Sequence, residues 1–148
     1  MSHRLGLGRL TSMGRNTQRI ALAAVVLLHL IISMAHGYAH TSAGIDLNGL
    51  SLVFVPVVIL AGPLIGLAWM WVNPSAGARV IGITMAASLL FGLVNHFIIP
   101  GADRIDHVVP HSRALFESTA VMLVVSEAAG AVLGLVYGRS RTTGPTYA

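Results

Sequence analysis

IALAAVVLLHLIISMAHGYA, residues Ile20 to Ala39, runs for twenty positions without an Asp, Glu, Lys or Arg, yet holds His29 and His36. A hydrocarbon core of about 30 Å is crossed by about 20 apolar residues in a helix, so the stretch reads as a membrane span. The histidines are its exceptions. Three further segments have the same character: Leu50–Val72, Arg79–Ile99 and Ala114–Tyr137. Together they predict an all-α membrane protein, four transmembrane helices in an up-down antiparallel bundle with short connections.

Composition points the same way. The chain is 55% hydrophobic and 9% charged, against roughly 25% charged residues in soluble domains. Four spans within 148 residues leave no room for a separate soluble domain, so residues 20–137 form one transmembrane unit. Residues 1–19 and 138–148 read as flexible tails rich in Gly, Ser and Arg. All nine basic residues are arginine. Arg4, Arg9, Arg15 and Arg19 precede the first span, Arg79 stands between the second and third, and Arg139 and Arg141 follow the fourth. Cytoplasmic loops carry an excess of Lys and Arg, which puts both termini in the cytoplasm and makes the chain a multi-pass protein of the plasma (inner) membrane. The arginines thus serve topology, and nucleic acid is not an expected partner. The bilayer is. Trp69 and Trp71 fall at the inner interface and Tyr38 near the outer one, as aromatic anchors do.

Small residues recur four apart at Gly62 and Gly66, Ser88 and Gly92, and Gly130, Gly134 and Gly138. Such spacing lets helix backbones approach closely in lipid, within the chain, in a homo-oligomer or against other membrane subunits. Pro56 and Pro63 predict a kinked second span. The linkers His40–Gly49 and Asn73–Ala78 read as short turns. A competing parse takes the first span as a secretory signal with Ser33-Met34-Ala35 as its cleavage site. His36 would then be the new N-terminus, and Ala35-His36-Gly37 is similar to the start of proteins that bind copper through an N-terminal histidine brace.

Ionisable groups within a span are costly and call for a partner or a task. A helical rise of about 1.5 Å per residue sorts them by depth. His29 lies about 14 Å and Glu127 about 15 Å from the cytoplasmic ends of their helices, which makes them candidates to face each other as a proton path. His36 and His96 share a level at about 24–25 Å. His40 and Glu117 form the top layer at about 30 Å. His29, His36 and His40 fall on one face of one helix, because seven residues turn through nearly two whole turns.

The segment NHFIIPGADRIDHVVPH, Asn95–His111, then places two of the five acidic residues beside three of the seven histidines. Asp103, His107 and His111 are spaced i, i+4, which clusters ligands if the segment is helical, with Asp103 capping it and Pro110 closing it. The chain has no cysteine, so thiolate sites and disulfides are excluded. What remains is a mixed imidazole–carboxylate shell, suited to Zn, Cu or Fe. The proposed primary ligands are His36, His96 and His107, with His40, Asp103 and Glu117 as additional or outer ones. The alternatives are a b-type haem held by His36 and His96, and a non-catalytic structural subunit of a larger membrane complex. No HExxH, EF-hand, P-loop or Ser-His-Asp pattern is present, so no catalytic residue is assigned.

Overall fold

The computed structural model describes residues 14–47 and 49–139. Most of both expected tails, residues 1–13 and 140–148, lies outside the described residues. Four helices make up the fold: α1 (Arg15–Ser42), α2 (Ser51–Trp69), α3 (Pro74–Ile98) and α4 (Pro110–Tyr137). Each is long and apolar enough to cross a membrane, and there is no strand among the described residues.

Side-chain bonds between helix ends fix the direction of each helix. Arg19 Nη2 donates to Met70 O at 3.1 Å, joining the start of α1 to the end of α2. Arg79 Nε donates to Gly138 O at 2.8 Å, joining the start of α3 to the end of α4. The Ser42 and Ser112 hydroxyls, 3.0 Å apart, join the end of α1 to the start of α4. The helices therefore alternate in direction, and both ends of the bundle sequence meet at one pole, the terminal pole. The opposite pole carries the connections 43–50 and 99–109 and is the loop pole.

Local chemistry sets the helix limits, and several depart from the hydropathy estimate. α1 runs on to Ser42 and stops where Gly44 takes φ +70°. There Gly44 N bonds Thr41 O at 3.1 Å and Ile45 N bonds His40 O at 3.0 Å, the paired capping bonds of a left-handed helix stop. Ile45 then packs against buried Ala39, Val108 and Phe116. α3 begins at Pro74, because Asn73 accepts from Ala76 N at 3.0 Å as an N-cap and proline suits the first helical position. Most of the expected 73–78 turn is thus the first turn of a helix. The same preference places Pro110 at the start of α4, not at the end of a helix running from Asp103. Between α3 and α4 only a 3-10 turn forms, Ile105–His107.

Two segments depart from α geometry. Val55–Ala61 within α2 and Val94–Ile98 at the end of α3 are π-helical. The first follows from Pro56 and Pro63, whose missing N–H groups break the regular bonding ladder. The second carries His96, and single-turn π segments are frequent at functional sites.

Towards the terminal pole the helices pack densely. Leu22 and Val26 of α1, Met70 after α2, Ala78, Ile81 and Met85 of α3, and Ala131, Val136 and Tyr137 of α4 form one core. Small residues bring the backbones together: a Cβ on Gly82 would lie 2.7 Å from Leu135 N. The surface reverses the ordinary soluble pattern. Ile31, Ile98 and Val125 are 68%, 65% and 65% exposed, while His29 is 1% and Glu127 3% exposed. Apolar side chains outside and polar ones inside are what a lipid-facing helix bundle requires.

Candidate metal centre

Three imidazoles converge near the loop pole. His36 and His40 lie one turn apart on the same face of α1, and His96 reaches them from the π segment of α3. His36 Nε2 is 3.1 Å from His96 Nε2 and 3.2 Å from His40 Nε2. The three residues offer ligand atoms within 4.8 Å of one another. Phe116 of α4 is fully buried beneath them, its ring centre 4.7, 4.9 and 5.1 Å from those of His36, His40 and His96.

The partners of the other ring nitrogens decide which atoms face inward. Thr119 Oγ1 gives its one hydrogen to Leu115 O at 2.6 Å and stands 2.8 Å from His36 Nδ1. A hydroxyl has a single donor, so it accepts from His36 Nδ1–H. His96 Nδ1 donates to the carbonyl oxygen of Asp103 at 3.0 Å. Both rings, when neutral, therefore carry hydrogen on Nδ1 and a lone pair on Nε2. Those two lone pairs face each other at 3.1 Å, a repulsion that a cation at their focus would relieve, as would a hydrogen on His40 Nε2, 3.2 Å from His36 Nε2. Nitrogens bound at about 2.0–2.1 Å to one tetrahedral ion stand about 3.3–3.4 Å apart, close to the separations here. Outer hydrogen bonds from Nδ1 to an oxygen are also what orients metal-bound histidines.

A cavity of about 560 Å³ opens beside the triad. His36, His40 and His96 line it at one end, and Glu127 lines it about 10 Å deeper, judged from the seven-residue step between His36 and His29. Its wall also includes the exposed Thr41 and Asp46 near the loop pole and the exposed Met34 on the flank of α1.

At the deep end His29 Nδ1 lies 3.8 Å from Glu127 Oε1. His29 Nε2 donates to Ile59 O at 3.2 Å. Its α-helical donor would be the N–H of residue 63, which is a proline and has none. The His29 Nδ1 lone pair thus points towards Glu127, and Nδ1 is buried without a hydrogen-bond partner.

The other three expected ligands stand apart from the triad. Asp103 serves through its backbone carbonyl. Its carboxylate is 3.9 Å from His96 Nδ1, on the side of the ring away from the triad. His107 is exposed and donates from Nδ1 to Gly101 O at 2.9 Å. Glu117 is partly exposed and outside the cavity wall. His111, in the first turn of α4, donates to Ser42 O at 3.1 Å. In the same loop Arg104 holds Asp106 in an exposed two-armed salt bridge, which draws the Asp106 carboxyl down to about 2.

Depth alone did not pick out His40, because an i, i+4 imidazole spans the turn between two layers. Thr119 and Phe116 carried no sequence signal of their own. No protein-family model, curated protein or solved structure matches this chain. The site is therefore read from its own atoms.

Proposed function

We propose that this chain is a multi-pass protein of the plasma (inner) membrane that binds one transition metal ion at His36, His40 and His96 and handles that ion at the membrane. The observation that carries the reading is the pair of Nε2 lone pairs held face to face by Thr119 and the Asp103 carbonyl. Neutral imidazoles suit Zn, Cu and Fe, and a ring of three leaves further coordination positions for water or an incoming ligand. The cavity beside the ring supports exchange of the ion, with His29 and Glu127 extending the polar path inward. The charge pattern supports cytoplasmic termini, with Arg19, Arg79 and Arg139 all towards the terminal pole.

The spacing disfavours haem. Axial nitrogens at about 2 Å on opposite faces of an iron stand about 4 Å apart, and the 3.1 Å between His36 and His96 Nε2 leaves no room for a porphyrin between them.

The test is elemental analysis of protein purified in mild detergent without chelators, together with a visible spectrum. At least one metal per chain is expected, with one equivalent lost in His36→Ala and in His96→Ala and none lost in His107→Ala. A Soret band would replace this reading with the haem one. A colourless, metal-free protein that also fails to take up added Zn²⁺ would favour a structural subunit.

A further inference from the structure

The His29–Glu127 pair is buried more deeply than structural polarity requires, and its spacing is unusual. A direct hydrogen bond spans about 2.7–3.2 Å. Two ligands of one metal ion, each about 2.0–2.2 Å from it, fall between about 3 and 4.3 Å apart. The observed 3.8 Å is longer than a hydrogen bond and lies within that range.

Three further features agree. The Ile59 carbonyl fixes the His29 ring so that its Nδ1 lone pair faces the carboxylate. That nitrogen is fully buried and has no other partner. Glu127, for its part, makes no hydrogen bond with another described residue, and it lines the same cavity as the triad. Asp46 and Asp103 belong to the opposite end of the cavity, so Glu127 supplies the carboxylate of the deep end.

We propose that His29 Nδ1 and Glu127 form a second divalent-cation station, which receives the ion from the triad across the cavity. The chain then holds two sites in series, an all-imidazole site near the loop pole and an imidazole–carboxylate site about 10 Å further in. Each end then has a carboxylate, Asp103 at 3.9 Å from His96 Nδ1 near the triad and Glu127 at the deep end.

This inference rests on the triad being a metal site, and equilibrium dialysis of the full chain in detergent against Zn²⁺ separates the two ideas. Two equivalents are expected for the unaltered chain, one for Glu127→Gln and one for His36→Ala. Glutamine keeps the volume of glutamate and its amide can donate to His29 Nδ1, so this variant should retain its fold, checked by helical circular dichroism and gel filtration. A single equivalent in the unaltered chain, lost in His36→Ala and unchanged in Glu127→Gln, overturns the second station and leaves the triad intact. A single equivalent lost in Glu127→Gln but kept in His36→Ala overturns the triad. Loss of the second equivalent in His107→Ala would move it to the surface loop and also overturn this assignment. No bound zinc overturns both.

Discussion

The two poles of the bundle are built on opposite principles. Near the terminal pole, Leu22, Ile81, Met85 and Tyr137 fill the interior, and Gly82 and Gly134 let α3 and α4 meet backbone to backbone. Helix association in lipid is driven by such van der Waals contact and by interhelical hydrogen bonds. Near the loop pole the interior is a cavity with a mostly apolar wall, Leu52, Ile59, Phe91 and Leu123 among it, into which His36, His40, His96 and Glu127 are set, and two π-helical segments interrupt the regular backbone bonding. One half is closed by side-chain volume and close backbone contact, and the other is hollow with a few polar groups at fixed places. The contrast teaches that packing and site-building are divided between the two ends of the same helices.

Substitutions that respect one principle and violate the other would break this contrast. The largest effect is expected at Gly82. Valine there must displace the α4 backbone, because even a Cβ would come within 2.7 Å of Leu135 N, and overpacking costs up to about 3 kcal/mol. Gly92→Ala, at the cavity, adds the same Cβ at an ordinary contact distance of 4.0 Å from its nearest neighbours. It should be neutral or raise stability by up to about 1 kcal/mol through helix propensity. Thermal unfolding in one detergent checks both, and equal losses would mean that the cavity half is packed as tightly as the other.

An intermediate effect is expected for Thr119→Val. The side chain keeps its shape but no longer accepts from His36 Nδ1–H, which costs about 1–3 kcal/mol in the metal-free protein. Zinc affinity should fall by about 10-fold or more, as for outer partners of metal-bound histidines. Dialysis against Zn²⁺ measures this, and unchanged affinity would show that the bond at 2.8 Å does not orient the ring.

The smallest effect belongs to the loop. Arg104 lowers the Asp106 carboxyl to about 2 from an ordinary 3.8. A depressed carboxyl contributes stability that is present above pH 3.8 and is lost as pH falls through about 2. The pair stands at the surface, so the contribution is small. Acid titration between pH 5 and pH 2 should show Asp106→Asn losing slightly less stability than the unaltered chain. A larger acid sensitivity in the variant would reverse the assignment.

The spans were legible because lipid demands long apolar runs, and the levels were legible because helical rise is constant. His29 and Glu127 share a level by counting alone, as do His36 and His96. Side-chain reach was not legible: His40 counts about 6 Å above His36 along the axis, yet its ring descends to join it. Nor was the role of backbone atoms. Asp103 drew attention for its carboxylate and acts through its carbonyl, which no residue-type pattern encodes. Pro110 was ambiguous because the same residue can close one helix or open the next, and only the extended backbone at Val109, φ −56° and ψ 142°, resolves it.

The proline at position 63 has a consequence for how this protein can change over time. By withholding a donor it leaves the Ile59 carbonyl to a different helix, and His29 is held by that gap. Restoring a donor at 63 would give His29 a competitor for its anchor, while replacing His29 alone would remove one donor from the Ile59 carbonyl. Neither position can drift freely without the other. Positions 29 and 63, on separate helices, therefore form one inherited unit, and in divergent copies of this chain they should be kept or lost together.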